Sequence, residues 1–316
     1  MEGIPSMKII FFGSDDFALV NLEKLIQSEH NVVVCVAPPD KPKGRGMPVI
    51  FSPIKERALR QGIALLQPAR LNDPLLIEQL KSFQSDLFVV VAYGKILPIE
   101  VLSLPYLCCM NVHGSLLPQY RGAAPIHWAI INGENETGVS IIKMNSQMDA
   151  GDIFAQAKIK IDPADTALTL RAKMAALGSD LLLKTIDSLE KNAYILAGQD
   201  ASKVSTAPKL TKELGLIQWN KPARDIHNLV RGLLPWPAAY THFQGKLLKI
   251  LQTEIVSIDA SSKQPGEVLE INPQGFVVAA SYGGLLVRQV HLESAKAMDA
   301  RSFAIGHKLQ TGVIFS

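Results

Sequence analysis

Four short runs in the first third of the chain, 8–12, 32–36, 87–91 and 104–110, are almost continuously apolar. A strand with one face in water alternates polar and apolar residues, whereas a strand covered on both faces does not. The stretches between these runs read as helices. Ser14, Asp15 and Asp16 offer caps ahead of Phe17, Val20, Leu22, Leu25 and Ile26, which recur at roughly helical spacing. The spacing also predicts a helix over 71–83, with Asn72 and Asp73 at its cap and Pro74 in its first turn. Strand and helix thus alternate, which predicts an α/β domain with a parallel sheet covered on both faces. Such sheets bind ligands beyond the carboxyl ends of their strands.

Three groups fall at those ends: Gly13, Tyr93-Gly94, and Asn111-Val112-His113-Gly114-Ser115-Leu116-Leu117-Pro118. Alternate residues of a strand point the same way. If the fourth strand persists to His113, Asn111 and His113 face one side just where the sheet ends. A lone histidine is more often a satisfied core or surface residue, but an asparagine two positions away changes that balance. The amide donates, and a neutral imidazole donates or accepts and titrates near neutrality. Together they suit an oxyanion and a moving proton. Gly114 and Ser115 then open a loop that runs through Pro118, Arg121, Gly122 and Pro125. Downstream, Met148-Asp149-Ala150-Gly151-Asp152-Ile153 places Asp149 before a glycine turn that feeds a strand over 153–161. A turn-forming aspartate is the competing reading, and Asp152 is the better candidate for that role.

Other chemistries find no support. Gly13-Ser14-Asp15-Asp16 lacks the G-x-G-x-x-G spacing, and the only G-x-G, Gly44-Arg45-Gly46, lies in a proline-rich loop. No P-loop sequence occurs. The three cysteines, Cys35, Cys108 and Cys109, sit in apolar strand-like runs without zinc spacing, and read as buried free thiols of a cytoplasmic protein. Residues 1–6 do not read as a signal peptide, and no apolar run approaches the ~20 residues of a membrane span.

At 316 residues the chain is comfortable for two domains. A long amphipathic helix is expected over 166–189, then a mixed polar segment with Gly198 and Pro208, then a helix over 222–232 and short strands over 247–256, 266–271, 275–280 and 285–290. That last texture predicts a small barrel or sandwich. The boundaries expected are 1–191, a linker over 192–209, and 210–316. Net charge is only +3, but residues 207–316 hold 12 Lys and Arg against 8 Asp and Glu. The basic surplus in that third admits a polyanionic partner or a solvated surface. The segment 38–53, with five prolines and two glycines, predicts a loop without regular structure that carries Lys41, Lys43 and Arg45.

Taken together, Asn111-Val112-His113-Gly114-Ser115-Leu116-Leu117-Pro118, the Tyr120-Arg121-Gly122-Ala123-Ala124-Pro125-Ile126 run, Met148 to Asp152 and the 89–98 run ending Tyr93-Gly94-Lys95-Ile96-Leu97-Pro98 resemble the methionyl-tRNA formyltransferases among folate-dependent formyltransferases. The loop Pro39-Asp40-Lys41-Pro42-Lys43-Gly44-Arg45-Gly46 and Pro235-Trp236-Pro237 resemble further marks of that group. The likeness covers nearly the whole chain. It departs at Ser14-Asp15, where Thr-Pro is usual, and at Gln119, where Arg is common.

The resemblance implies a Rossmann-like formyl-transfer domain followed by a small OB-like β-barrel. It implies 10-formyltetrahydrofolate as donor, the α-amino group of initiator methionyl-tRNA as acceptor, a monomer and no metal. It assigns Asn111, His113 and Asp149 to catalysis. Folate would meet Tyr93, Gly94, Ser115, Leu116, Leu117 and Pro118, and tRNA would meet Lys41, Lys43 and Arg45. Two alternatives remain open here: a formyltransferase for a small amine or sugar nucleotide, and a non-catalytic RNA-binding protein.

Overall fold

The computed structural model describes residues 6–42, 49–260 and 262–316, and only the backbone of residues 41–42 and 49–50. Contacts divide the chain into two compact units. The first is Met1–Pro125 with Glu136–Lys160 and Arg171–Pro208; the second is Ile126–Asn135 with Ile161–Leu170 and Lys209–Ser316.

The first unit opens with β1 (Lys8–Gly13), α1 (Asp16–Ile26) and β2 (Asn31–Val36). Asp15 caps α1, its carboxylate accepting from the Ala18 N–H at 3.2 Å, so the residue that departs from the family pattern serves as a helix start. A two-residue hairpin of β3 (Lys41–Pro42) and β4 (Val49–Ile50) follows. The expectation that 38–53 has no regular structure is therefore corrected at both strands. It is corrected again at Pro53, which opens α2 (Pro53–Gln61) behind the capping hydroxyl of Ser52. Pro suits the first helical turn because its missing N–H would be unpaired there anyway.

The chain continues through β5 (Ala64–Leu66), α3 (Pro74–Ser82), β6 (Leu87–Val91), α4 (Ile99–Leu102), β7 (Cys108–His113) and β8 (Arg121–Gly122). Asp73 caps α3, accepting from Leu75 N–H at 3.0 Å. After α5 (Pro125–Ile131) come β9 (Glu136–Lys143), β10 (Ile153–Lys160), α6 (Ala167–Glu190) and β11 (Thr206–Ala207).

Seven of these strands form one sheet in the order β10-β9-β7-β6-β1-β2-β5. The five from β7 to β5 are parallel, and β9 and β10 extend the sheet antiparallel. Both faces are buried, as the continuous apolar runs require. Ile10, Phe12, Val34, Val36, Phe88, Val90 and Cys109 pack with Leu76, Leu80 and Val101 on one side. Ile9, Phe11, Leu87, Val89, Met110 and Val112 are buried at the alternate positions. Strand β7 starts at Cys108, so residues 104–107 of the expected strand lie outside it. All three cysteines are free and buried. Burial pushes the Cys35 thiol up to about 12 and that of Cys108 up to about 11. Sequence order reverses about β1, flanked by β2 and β6, and the ends of β1 and β6 are tied by the Ser14 hydroxyl, which donates to the Ala92 carbonyl.

The segment expected as a linker is held in the first unit. β11 pairs with β8, and Ser205 accepts from Tyr120 N–H through its hydroxyl at 2.9 Å and from Arg121 N–H through its carbonyl at 2.9 Å.

The second unit contains α7 (Ala223–Gly232), β12 (Ala239–Phe243), β13 (Lys246–Val256), β14 (Val268–Asn272), β15 (Gly275–Ala279), β16 (Gly284–Leu292), β17 (Met298–Asp299) and α8 (Ala300–Gly306). Its antiparallel order is β12-β13-β16-β15-β14, with β17 on β16. The last residues close the sheet. Val268 N–H donates to Val313 O and Phe315 N–H to Gly266 O on the β14 side, while His242 N–H of β12 donates to Ser316 O at 2.8 Å. Closure removes the free edges of a sheet. The interior is aromatic: Phe243, Phe276, Phe303 and Phe315 pack with Trp219, whose indole N–H donates to Thr241 Oγ1 at 3.1 Å. Removing a buried phenyl group such as that of Phe276 or Phe303 costs about 3–5 kcal/mol.

One histidine makes this unit pH-sensitive. His227 of α7 bonds Thr253 Oγ1 through Nδ1 at 2.9 Å. Burial, and then the Arg231 charge, hold its pKa below the ordinary 6.5. The stabilisation from keeping this ring neutral is complete above the unfolded value near 6.5 and is lost as pH falls through the lower folded value. Thermal unfolding midpoints should therefore fall more steeply below pH 6.5 in the wild type than in His227→Gln. Parallel pH profiles would remove His227 as the cause.

Candidate active site

Strand β7 does persist to His113, and its pleat sets the site. Val112 points to the far side, where a Cβ on Gly178 of α6 would lie 3.2 Å from its Cγ1. Asn111 and His113 point the other way, at the sheet's carboxyl edge. Asn111 is half-buried, and its amide makes no hydrogen bond among the described residues, so it is free to meet a ligand. His113 is 5% exposed. Its Nε2 lies 3.0 Å from the Tyr120 carbonyl. A carbonyl only accepts, so Nε2 carries a hydrogen, and Nδ1 faces the Asp149 carboxylate, Oδ1, at 3.6 Å. That separation is an ion-pair distance, longer than a direct hydrogen bond.

Asp149 is brought to His113 by an unusual backbone. Its φ is +51°, in the left-handed region, which aspartate tolerates better than most residues at a cost of order 1–3 kcal/mol. Oδ2 accepts from Gly122 N–H at 2.8 Å. Gly122 itself has φ +126°, and a Cβ there would sit 2.6 Å from the Ala207 carbonyl oxygen. Gly151 packs so tightly on the end of β9 that a Cβ would come within 1.7 Å of Lys143 O. Asp152, the rival for a turn-forming role, is exposed, whereas Asp149 is the one turned toward the imidazole.

The residues singled out for folate separate into two groups. The Tyr93 side chain is 3% exposed, packs edge-on against Phe12 at 5.5 Å and has no hydrogen-bond partner for its hydroxyl among the described residues. Burial pushes its pKa up to about 12. Ser115 is fully buried, and its hydroxyl donates to Gln119 O at 2.6 Å. Leu117 is buried as well. These three side chains shape the loop from beneath, and what they offer a ligand is backbone. Gly94, at φ +76°, is exposed, and Leu116 and Pro118 are half-buried. Lys43 and Arg45 lie outside the described residues, and the Lys41 side chain does also.

Sequence reasoning missed the supports of this loop. The Ser140 hydroxyl on β9 donates to Ser115 O at 2.7 Å and accepts from Leu117 N–H at 3.0 Å. Gln156 on β10 reaches both Ser140 Oγ and Leu117 O. Gln199 was missed too: its amide nitrogen donates to the carbonyls of Asp149 and Gly151, at 2.8 and 2.7 Å. Ser140 is a hydroxyl inside an otherwise apolar, buried strand and Gln156 stands opposite it on β10, a pairing that no local pattern reveals; nor does one mark Gln199.

A strand-end amide, imidazole and carboxylate above a parallel sheet are the equipment of an acyl-type transfer. Residues 7–186 match the formyl transferase family and residues 209–308 match the formyl transferase C-terminal domain; the chain belongs to the formyl transferase family. It is 41% identical to the methionyl-tRNA formyltransferase of Acetivibrio thermocellus, over 98% of this chain and 99% of that protein. It is 43% identical to the methionyl-tRNA formyltransferase of Caldanaerobacter subterraneus subsp. tengcongensis, again over 98% and 99%. Among solved structures, the N-formyltransferase from Helicobacter canadensis, in complex with folinic acid and dTDP-3-aminofucose, aligns with a TM-score of 0.68 at 18% identity, covering 93% of this chain and 100% of that one.

Proposed function

We propose that this chain transfers the formyl group of 10-formyltetrahydrofolate to the α-amino group of initiator methionyl-tRNA. The observation that carries the reading is the juxtaposition of His113 Nδ1 and the Asp149 carboxylate at the strand end that also carries Asn111, whose amide has no partner among the described residues. Its specificity for methionyl-tRNA is supported by full-length relatives of that name. Use of a folate donor is supported by the family and by the folinic acid bound to the Helicobacter canadensis structure.

In the reaction the amine attacks the formyl carbon, a C–N bond forms, and negative charge collects on the formyl oxygen. Asn111, through its amide N–H, and His113, through a proton on Nδ1, hold that oxygen. Such donors are worth roughly 10²–10³ in rate each. Asp149, through an ordered water, takes the proton from the attacking nitrogen and delivers it to N10 as the C–N10 bond breaks. The 115–118 loop and Gly94 border the folate with backbone groups. Formyl transfer falls to residues 1–191 with the 192–208 segment held against them, and tRNA holding to 210–316 together with Lys41, Lys43 and Arg45. The exposed Lys212, Lys221, Lys246, Lys296 and Lys308 supply positive charge in the second of these regions.

One assay tests the acceptor: 10-formyltetrahydrofolate is supplied with charged initiator methionyl-tRNA or with small amines and amino-sugar nucleotides. Transfer to the tRNA is expected, and transfer only to a small amine would replace this reading. Phosphate contacts make RNA binding salt-sensitive. Arg45→Ala should therefore raise KM for tRNA, most visibly as salt is increased, and leave folate binding intact. Identical tRNA kinetics in the variant and the wild type would take the loop out of recognition.

A further inference from the structure

We infer that Gln199, clamped by Arg121, is a positioning residue that holds Asp149 in its working conformation. The inference rests on Asp149 being the proton carrier. Gln199 lies between the two family matches, which end at 186 and begin again at 209. Its side chain nevertheless reaches the turn that presents Asp149. Nε2 donates to two carbonyls of that turn, Asp149 O at 2.8 Å and Gly151 O at 2.7 Å. On its other side, Arg121 Nε and Nη2 both donate to Gln199 Oε1, at 3.0 and 2.7 Å.

The amide's orientation is forced by its neighbours. Arginine has only donors and a carbonyl only accepts, so the oxygen must face Arg121 and the nitrogen must face the turn. The glutamine is thus satisfied at both ends and leaves the turn little freedom to swing. The clamp converges with a second one: Gly122, next to Arg121, donates its N–H to Asp149 Oδ2 at 2.8 Å. The β8 pair of residues therefore fixes the carboxylate directly and the backbone beneath it through Gln199. The turn needs such fixing because Asp149 is at φ +51°, a conformation that persists only where its surroundings over-determine it.

Neighbouring residues do not duplicate this role. Asp200, the next residue, spends its carboxylate locally on Ser202 N–H and Oγ, at 3.0 and 2.7 Å, and on Lys203. Gln199 is half-exposed, so it is not a core residue whose loss would empty the interior.

The test is kinetic and uses the full chain. Gln199→Ala should lower kcat about 10²-fold, the scale of a 1 Å misplacement of a reacting group, with KM for the formyl donor little changed and the melting temperature close to wild type. Gln199→Glu should fail likewise: it retains an acceptor for Arg121 but presents no N–H to the two carbonyls. The decisive measurement is Gln199→Ala placed in an Asp149→Asn background. A residue that acts through Asp149 causes no further loss once the carboxylate is gone. Equal fold-losses in both backgrounds, or near-normal turnover of Gln199→Ala, would overturn the inference while leaving Asp149 in place. Normal turnover of Asp149→Asn alone would instead overturn the reading of Asp149 on which it rests.

Discussion

Asp149→Asn is expected to lower kcat for formyl transfer by roughly 10²–10⁴ and to leave folate binding nearly unchanged. The substitution is close to isosteric, so its carbonyl can still accept from Gly122 N–H as Oδ2 does at 2.8 Å. The new NH₂ group would then face His113 Nδ1, where a carboxylate oxygen now lies at 3.6 Å. An amide there donates to the ring and can carry no proton away. His113→Ala should fall in the same range, since it removes a proposed oxyanion donor together with the partner of Asp149. Single-turnover formyl transfer, with donor binding measured separately, distinguishes a chemical defect from a binding one. Wild-type turnover in either purified variant would falsify the assignment.

Gly151→Ala is the second large effect, and it works through the backbone. A methyl group at this position would lie 1.7 Å from Lys143 O and 2.8 Å from Lys143 C. Neither is the end of a flexible side chain, because both belong to the end of β9. Nor can the turn back away freely, because Gly151 O accepts from Gln199 and Lys143 N–H bonds Asp152 O at 2.8 Å. Overpacking of this kind costs about 1–3 kcal/mol, so the fold should survive with a modestly lower melting temperature. Activity should fall nearly as far as in Asp149→Asn, because the displaced residue stands two positions from the carboxylate. Retained activity with a lowered melting temperature would show that Asp149 tolerates movement of its turn.

Much of this architecture could be read from the residues alone, for a physical reason. The strands β1, β2 and β6 are covered on both faces, and that environment writes itself into continuous apolar runs such as Phe88 to Val91. Period-two geometry was equally direct: Asn111 and His113 share a face because β7 continues to its last residue. Hidden features depended on long-range pairing. The 38–53 segment contains a short hairpin because β3 and β4 find each other, which its five prolines argue against locally. β12 is a five-residue strand that depends on β13 beside it. Tyr93 stands just beyond β6, where its backbone could meet a ligand, and only the tertiary packing shows that its ring turns onto Phe12. The contacts of Gln199 span 48 to 78 residues and end on backbone carbonyls and one guanidinium, so no local spacing carries their signal.

The pairing of β11 with β8 bears on where the working enzyme ends along its own sequence. A polypeptide emerging from the ribosome holds the whole seven-stranded sheet, and all of Asn111, His113 and Asp149, once residue 160 is free to fold. It still lacks the strand at Thr206–Ala207 that lies along Arg121–Gly122, and the glutamine at 199. If Gln199 holds Asp149 as inferred, competence for chemistry trails formation of the sheet by about forty residues of synthesis. A fragment cut at the limit of the first family match, residue 186, would keep the Gly122 bond to the Asp149 carboxylate but lose the Gln199 bonds to the turn beneath it.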